Sequence, residues 1–131
     1  MGTDALMTSR ISQITLDVDD VEMMATFWSA VLGYTTEVGD DGSVNLRPPA
    51  GGDATMWLQP GALPKATKLR CHIDLRTSDR VAELDRLLAL GARRADVGRR
   101  GDEGFDVLAD PEGNEFCLLH LSMPSTSREP G

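Results

Sequence analysis

The chain has 131 residues and a formal net charge of −8, with 40% apolar and 5% aromatic residues. A chain of this length forms one domain whose core is large enough to fold without disulfide bonds. The negative charge argues against non-specific binding to nucleic acids or anionic membranes, because their phosphate groups would repel it.

Both ends of the chain are expected to lie outside the folded domain. Residues 1–10 form a short extension without the apolar segment of a signal peptide, and the small, polar tail at 122–131 is expected to be disordered. No segment has the roughly 20 apolar residues of a membrane-spanning helix. The two cysteines, Cys71 and Cys117, are too few for a disulfide framework. We therefore expect a cytoplasmic protein with neither a membrane nor a nucleic acid as partner.

The first half of the domain, residues 11–60, is predicted to contain a strand, a helix and three further strands. The segment QITLDV alternates apolar and polar residues, as a half-buried strand does. Apolar residues then recur at helical spacing in VEMMATFWSAVL, with Asp19 or Asp20 as the N-cap and Gly33 as the stop. Short extended segments separated by glycine-rich turns follow.

The second half, residues 69–121, repeats this pattern after a linker at 61–68. When Gln13 is aligned with His72, each is followed by Ile, a polar residue and Leu, and an aspartate lies seven residues after each. Such internal similarity indicates a duplicated structural unit. The second predicted helix carries an apolar stripe of Val81, Leu84, Leu87 and Leu88. The sequence therefore predicts an α+β fold of two βαβββ modules.

Three motifs carry a family resemblance. FWSAVLGY at Phe27–Tyr34 follows the first predicted strand, HIDL at His72–Leu75 opens the second module, and ADPEGNEFCLL at Ala109–Leu119 closes it. In this order, within a duplicated βαβββ unit, they resemble the vicinal oxygen chelate superfamily, and within it the glyoxalase-like domain proteins. That superfamily includes glyoxalase I, bleomycin-resistance proteins, fosfomycin-resistance enzymes and extradiol dioxygenases.

The resemblance implies a fold in which the sheets of the two modules curl into a cup around a small-molecule cavity. It also implies a homodimer, which is common among the relatives. It does not imply one reaction, because the same fold carries different activities and function depends on the site.

The resemblance also places the positions that bind a metal ion in metal-using relatives, at Gln13, Gln59, His72 and Cys117. Only His72 is a strongly favoured ligand there, and Cys117 replaces the usual carboxylate. A catalytic zinc site needs about three strong protein ligands, and Mg²⁺ or Mn²⁺ prefers anionic oxygen. We therefore predict that the protein binds no metal cofactor, with a divalent metal as the alternative.

Polar strand faces and one aromatic residue supply the candidate ligand-binding residues. Strand alternation places Gln13 and Asp17 on one polar face, and His72 with Asp74 on another. Trp57, on the last strand of the first module, would form an aromatic wall. The predicted ligand-binding set is Gln13, Asp17, Trp57, Gln59, His72 and Cys117.

His72 and Asp74 are the candidates for a catalytic acid–base pair, because they lie two residues apart on one strand face. The alternative for Asp74 is an ion pair with Arg70 or Arg76.

The two cysteines have structural interpretations as well. Cys117 lies in an apolar run and is expected to be a small buried hydrophobic residue. The alternative is a reactive thiol activated by His72. Cys71 should point away from His72 and lie in the core.

Three functional hypotheses follow. The leading one is a glyoxalase/bleomycin-resistance-like protein that binds a small organic molecule in its cup without metal. The second is a divalent-metal-dependent lyase, isomerase or dioxygenase of the same superfamily. The third is an accessory or regulatory dimer without a ligand.

Overall fold

The computed structural model describes residues 8–50, 52–95 and 105–120. The predicted tail at 122–131 and most of the extension at 1–10 lie outside these residues. The chain divides into two compact units, Met1–Leu63 and Pro64–Gly131. In the described residues each unit holds one helix and one four-stranded sheet.

The first unit contains a mixed sheet with the strand order β1-β4-β3-β2. The first and last strands pair in parallel, whereas the β3 strand is antiparallel to both of its neighbours. The elements are β1 (Gln13–Val18), α1 (Val21–Leu32), β2 (Thr35–Val38), β3 (Val44–Arg47) and β4 (Thr55–Pro60).

Local signals in the sequence set the ends of α1. The side chain of Asp20 accepts a hydrogen bond from the Met23 N–H at 3.1 Å, so Asp20 and not Asp19 is the N-cap. Gly33 ends the helix in the left-handed region at φ 70°, a conformation that favours glycine. The residues of α1 that enter the core are Met24, Ala25, Phe27, Trp28 and Val31.

The two faces of the first sheet differ in character. Met56 and Leu58 of β4 are buried, as are Val44 and Leu46 of β3, and they form the apolar face that packs against α1. Because side chains alternate along a strand, Trp57 projects from the other side. We call this other side the open face of the first sheet.

The second unit repeats the first, with strand order β5-β8-β7-β6. Its first and last strands again pair in parallel, and the intervening pairs are antiparallel. The predicted α+β fold of two βαβββ modules is therefore confirmed, and the cup-like curling of the sheets stays a prediction. The elements are β5 (Ile73–Thr77), α2 (Arg80–Leu90), β6 (Arg93–Arg94), β7 (Phe105–Ala109) and β8 (Glu115–His120).

Helix α2 buries less than the sequence predicts. Asp79 caps it by accepting the Ala82 N–H at 3.1 Å, and Leu87 is fully buried. Val81 belongs to the predicted apolar stripe but is 71% exposed, because it lies in the first helical turn, at the surface. Leu84 is only partly buried. Neither helix of the described residues is long and apolar enough to cross a membrane.

Strand β5 begins later than the alternation predicts. Its pairing with β8 starts at Ile73, opposite Phe116. Upstream of β5, the Leu69 N–H donates to the side chain of Glu115 at 3.1 Å. This backbone group is therefore bonded to a carboxylate and not to a neighbouring strand. Cys71 is exposed, and its prediction as a core residue is wrong.

The DPEGN motif forms the turn between β7 and β8. Asp110 is fully buried and accepts hydrogen bonds from the N–H groups of Glu112 at 3.0 Å and Asn114 at 2.9 Å. The Asn114 side-chain amide donates to both carboxylate oxygens. Gly113 has φ 91°, which a residue with a side chain rarely adopts. This part of the motif is therefore structural.

Candidate ligand site

A row of side chains crosses the open face of the first sheet. The strand register places Thr15 opposite Trp57, Trp57 opposite Asn45, and Asn45 opposite Glu37. Trp57 is half-buried, whereas Asn45 is only 7% exposed. The middle of this face therefore pairs an indole with a buried carboxamide.

A cavity of about 230 Å³ adjoins this pair. Trp57, Asn45, Glu37 and Arg47 line it together with the turn between β2 and β3. All of these residues belong to the first unit, so the cavity is complete within it.

Asn45 carries the most informative atom of the cavity. Its Oδ1 is buried and has no hydrogen-bond partner among the described residues. An unsatisfied buried polar group costs about 1–3 kcal/mol, and in native structures it calls for an explanation such as a water or a ligand. Sequence reasoning missed Asn45, because a polar residue between Val44 and Leu46 looks like an ordinary solvent-facing strand position.

The turn between β2 and β3 holds the rim of the cavity in place. The side chain of Asp41 accepts hydrogen bonds from the Ser43 hydroxyl at 2.6 Å and the Ser43 N–H at 3.0 Å. The hydroxyl bond, followed by the backbone bond, holds the pKa of Asp41 below its usual value. The Gly39 N–H closes the turn onto the Ser43 carbonyl at 2.8 Å. Ser43, which is 1% exposed, is thereby fixed two residues before Asn45.

Charged groups surround the mouth of the cavity. Arg47 Nε donates to Glu37 Oε1 at 3.0 Å in an ion pair whose two side chains are more than half exposed. Asp40 adds a second carboxylate to the lining.

The other predicted ligand-binding residues of the first unit lie outside this cavity. Gln13, Asp17 and Gln59 are exposed, and Asp17 is opposite Gln59 in the strand register. Strand alternation places all three on the open face with Trp57. Gln13 Nε2 donates to Thr15 Oγ1 at 3.5 Å, at the long limit for a hydrogen bond.

In the second unit, His72 directly precedes β5 and is partly buried. Its Nε2 is buried and has no hydrogen-bond partner among the described residues. Asp74 is exposed and lies opposite Cys117 in the register.

Cys117 lies in an apolar environment. It is 5% exposed and packs with Val107 and Leu119, and the partly buried Ala95 and Phe105 extend the cluster. This is the environment expected of a small buried hydrophobic residue.

A buried carboxylate that the sequence did not single out, Glu115, lies at the start of β8. It is 8% exposed, and its Oε2 accepts from Lys65 Nζ at 2.7 Å. Burial would raise the pKa of Glu115, but the hydrogen bonds from Lys65 and the Leu69 N–H outweigh it and lower the pKa overall. Glu115 therefore anchors the linker through these two hydrogen bonds.

The strand register shows which residues of the two last strands, β4 and β8, correspond to each other. Trp57 lies opposite Thr15, two residues after Gln13, just as Cys117 lies opposite Asp74, two residues after His72. The register therefore makes Trp57 the counterpart of Cys117.

By the same register, Gln59 corresponds to Leu119. Across residues 8–50, 52–95 and 105–120, no three His, Cys, Asp or Glu side chains are grouped to hold a metal ion.

A second, shallow cavity of about 300 Å³ lies at the start of α2, beside His120. Its lining includes Asp79, whose side chain already serves as the helix cap.

Comparison with known proteins identifies the family. A sequence profile of the glyoxalase-like domain family matches residues 13–119, which is most of the chain. This chain belongs to the glyoxalase-like domain family. The resemblance inferred from the three motifs is thereby confirmed. A search of curated proteins found no match.

Solved structures of this superfamily share the fold of the glyoxalase-like chain. A glyoxalase/bleomycin resistance protein/dioxygenase family enzyme from Burkholderia phytofirmans PsJN is 15% identical, with 86% of this chain and 99% of that chain covered and a TM-score of 0.67.

A mutant of the fosfomycin resistance protein FosX from Listeria monocytogenes, complexed with Mn(II) and 1S,2S-dihydroxypropylphosphonic acid, is 20% identical. The match covers 94% of this chain and 98% of the FosX chain, with a TM-score of 0.71. The antibiotic-binding protein TnmS3 from Streptomyces sp. CB03234 is 24% identical over 86% of this chain and 96% of its own, with a TM-score of 0.58. At these identities the likeness establishes the fold alone.

Proposed function

We propose that this glyoxalase-like protein binds a small organic molecule on the open face of its first sheet, without a metal ion. The observation that carries the proposal is the buried, unpartnered Oδ1 of Asn45, which borders a cavity beside Trp57. Small-molecule sites typically combine an apolar or aromatic wall with a few fixed polar groups. This cavity has both within one module.

Relatives support a role in binding small molecules. TnmS3 is an antibiotic-binding protein, and FosX is a fosfomycin resistance protein whose structure holds a small phosphonic acid. The ligand of this chain is expected to belong to the same broad size class.

The wider site follows from the family relationship. We propose that Gln13, Asp17 and Gln59 extend the ligand surface along the first sheet. In the second unit, His72 stays a candidate ligand-binding residue, because its buried Nε2 has no partner among the described residues. Cys117 stays a candidate for an apolar ligand contact within the second unit, in keeping with its packing beside Val107. His72 with Asp74 stays the candidate pair should the ligand also react.

The absence of a metal from this proposal rests on donor chemistry. The resemblance places the neutral amides of Gln13 and Gln59 at two ligand positions of metal-using relatives, and at a third the thiol of Cys117, which packs among apolar side chains. Neither an amide nor a thiol supplies the anionic oxygen of the usual carboxylate.

The proposed setting is a homodimer in the cytoplasm. Both cysteines are free thiols, with Cys71 exposed, as suits a reducing compartment.

A thermal-shift screen tests the proposal. A library of cationic and aromatic metabolites and antibiotics is run against the wild type, Trp57→Ala and His72→Ala, with the 86% exposed Leu63 changed to Ala as the surface control. A ligand at 100 times its dissociation constant stabilises the protein that binds it by about 2.7 kcal/mol. We expect hits to stabilise the wild type and Leu63→Ala alike and to lose most of their effect in Trp57→Ala. Hits that stabilise all variants equally would place the ligand elsewhere.

A further inference from the structure

We infer that the cavity beside Asn45 accepts a planar, cationic N–H group of the ligand, such as an amidinium, a guanidinium or a protonated aminoheterocycle. This inference rests on the proposed function and names the chemical class of the group bound at that site.

The polarity of the group follows from Asn45. A carboxamide oxygen is only an acceptor of hydrogen bonds, and this oxygen is buried without a partner among the described residues. Its partner must therefore bring an N–H or O–H donor into the cavity. An anionic group offers only hydrogen-bond acceptors, so it would leave the oxygen unpaired. Its negative charge would also repel the partial negative charge of the carboxamide oxygen.

The sign of the charge follows from the lining. The carboxylates of Glu37 and Asp40 and the guanidinium of Arg47 border the cavity, so its lining carries one net negative charge. The guanidinium of Arg47 is paired with Glu37 at 3.0 Å. The carboxylate of Asp40 therefore favours a cation in the cavity.

The planar shape follows from Trp57, which lies directly opposite Asn45 in the strand register. Aromatic rings attract cations through their π faces, and indole does so best. A flat cation can contact the ring while its N–H groups point at the carboxamide.

The size of the cavity limits what enters it. At about 230 Å³ it is smaller than the roughly 300–1,000 Å³ of sites that enclose drug-sized ligands. It therefore accepts a head group, and the rest of the ligand extends over the open face toward Gln13 and Asp17.

An ordered water is the purely structural explanation of the unpaired oxygen, and two substitutions separate it from a ligand. Asn45→Leu keeps a similar volume but removes the acceptor, whereas Asn45→Asp strengthens the acceptor and adds a negative charge. In a ligand site, Asn45→Leu leaves the protein folded and at least as stable as the wild type, because an unmet polar group is lost. The same substitution weakens binding.

The experiment uses three probes of nearly one shape: benzamidine as the cation, benzamide as the neutral form and benzoate as the anion. Binding to the full-length protein is followed by NMR, from the side-chain amide resonances of Asn45 and the indole N–H resonance of Trp57. We expect benzamidine to bind at least about tenfold more tightly than benzoate, and Asn45→Leu to weaken it by about tenfold. Asn45→Asp is expected to tighten benzamidine binding.

Each outcome decides the inference. Preference for benzoate, or equal effects of benzamidine on the wild type and Asn45→Leu, overturns it. If library hits act through Trp57 but the probes leave the Asn45 resonances unchanged, the inference fails and the proposed function stands. If neither the probes nor any library compound binds, both fail together.

Discussion

At the scale of single residues, buried polar groups fall into those whose hydrogen bonds are met within the chain and those whose bonds are not. The carboxylate of Asp110 accepts hydrogen bonds from the N–H groups of its own turn. The carboxylate of Glu115 accepts hydrogen bonds from Lys65 and from the Leu69 N–H. Asn45 Oδ1 and His72 Nε2 have no partner among the described residues. Because an unmet buried group costs free energy, its presence is better explained by binding than by folding.

The first prediction concerns the ion pair between Lys65 and Glu115. Glu115→Gln should lower the free energy of unfolding at neutral pH by about 2–3 kcal/mol. This is less than the roughly 3–5 kcal/mol of fully buried pairs, because Lys65 keeps some contact with water. Urea denaturation followed by circular dichroism measures the change.

The pH dependence of this effect has a definite sign. The pKa of Glu115 in the folded protein lies below its usual value of 4.5. Its contribution is therefore fully present above pH 4.5 and is lost as the pH falls through the lower folded value. Glu83→Gln, which breaks the more exposed pair with Arg86, is the control and should cost at most about 1 kcal/mol. Equal losses in both variants would contradict the special role of Glu115.

Residue-level properties were predictable where they depend on local sequence. The N-cap of α1 was predictable to within one residue, Asp19 or Asp20, because a cap bonds within its own helical turn. Asn45 was not, because its burial depends on the turn at Ser43 and on Trp57 across the sheet.

At the scale of elements, the apolar stripe of a helix indicates which side of the helix faces the core, but not how deeply each residue of that side is buried. In α1 the predicted stripe enters the core, with Trp28 at 1% exposure. In α2, Leu87 is fully buried while Val81 is 71% exposed. The alternating pattern of strand β5 likewise starts before the residues that pair, because the pairing with β8 begins only at Ile73.

The second prediction follows from this difference within α2. Leu87→Ala should lower the free energy of unfolding by about 2–5 kcal/mol, because it leaves a void in the core. Val81→Ala should change it by less than about 0.5 kcal/mol, as surface substitutions do. Chemical denaturation of both variants checks this, and similar losses in the two would contradict the burial of α2.

At the scale of the whole molecule, the duplication was legible in the sequence because both modules use the same strand, cap and stop signals. How the two sheets are arranged around a cup depends on contacts far apart in the chain, and the cup stays a prediction. The differences between the modules were also hidden. The open face of the first sheet carries Asn45 and Trp57, whereas the corresponding side of the second carries the apolar Val107 and Cys117.

The third prediction concerns assembly. We expect a homodimer in solution, because members of this superfamily commonly pair their modules between chains. Light scattering at micromolar concentration should give twice the mass of one chain, and the mass of a single chain would contradict the prediction.

The fourth prediction concerns metal content. Protein purified without a chelator should carry well under one equivalent of transition metal, because His72 is the one strongly favoured ligand among the four positions that the resemblance implies. Elemental analysis measures this. Stoichiometric Zn, Fe, Mn or Ni that is lost in His72→Ala would overturn the metal-free account.

Tryptophan fluorescence tests the central claim, binding of a small molecule on the open face of the first sheet, most directly. The chain has two tryptophans, Trp28 buried in the core and Trp57 beside the cavity. Titration with a ligand from the screen should change the emission of the wild type in a saturable way. Trp57→Phe retains only the core indole, so its emission should stay constant. The claim would be contradicted if Trp57→Phe showed the same emission change, with the same titration midpoint, as the wild type. It would also be contradicted if a ligand that stabilises the wild type left its emission unchanged.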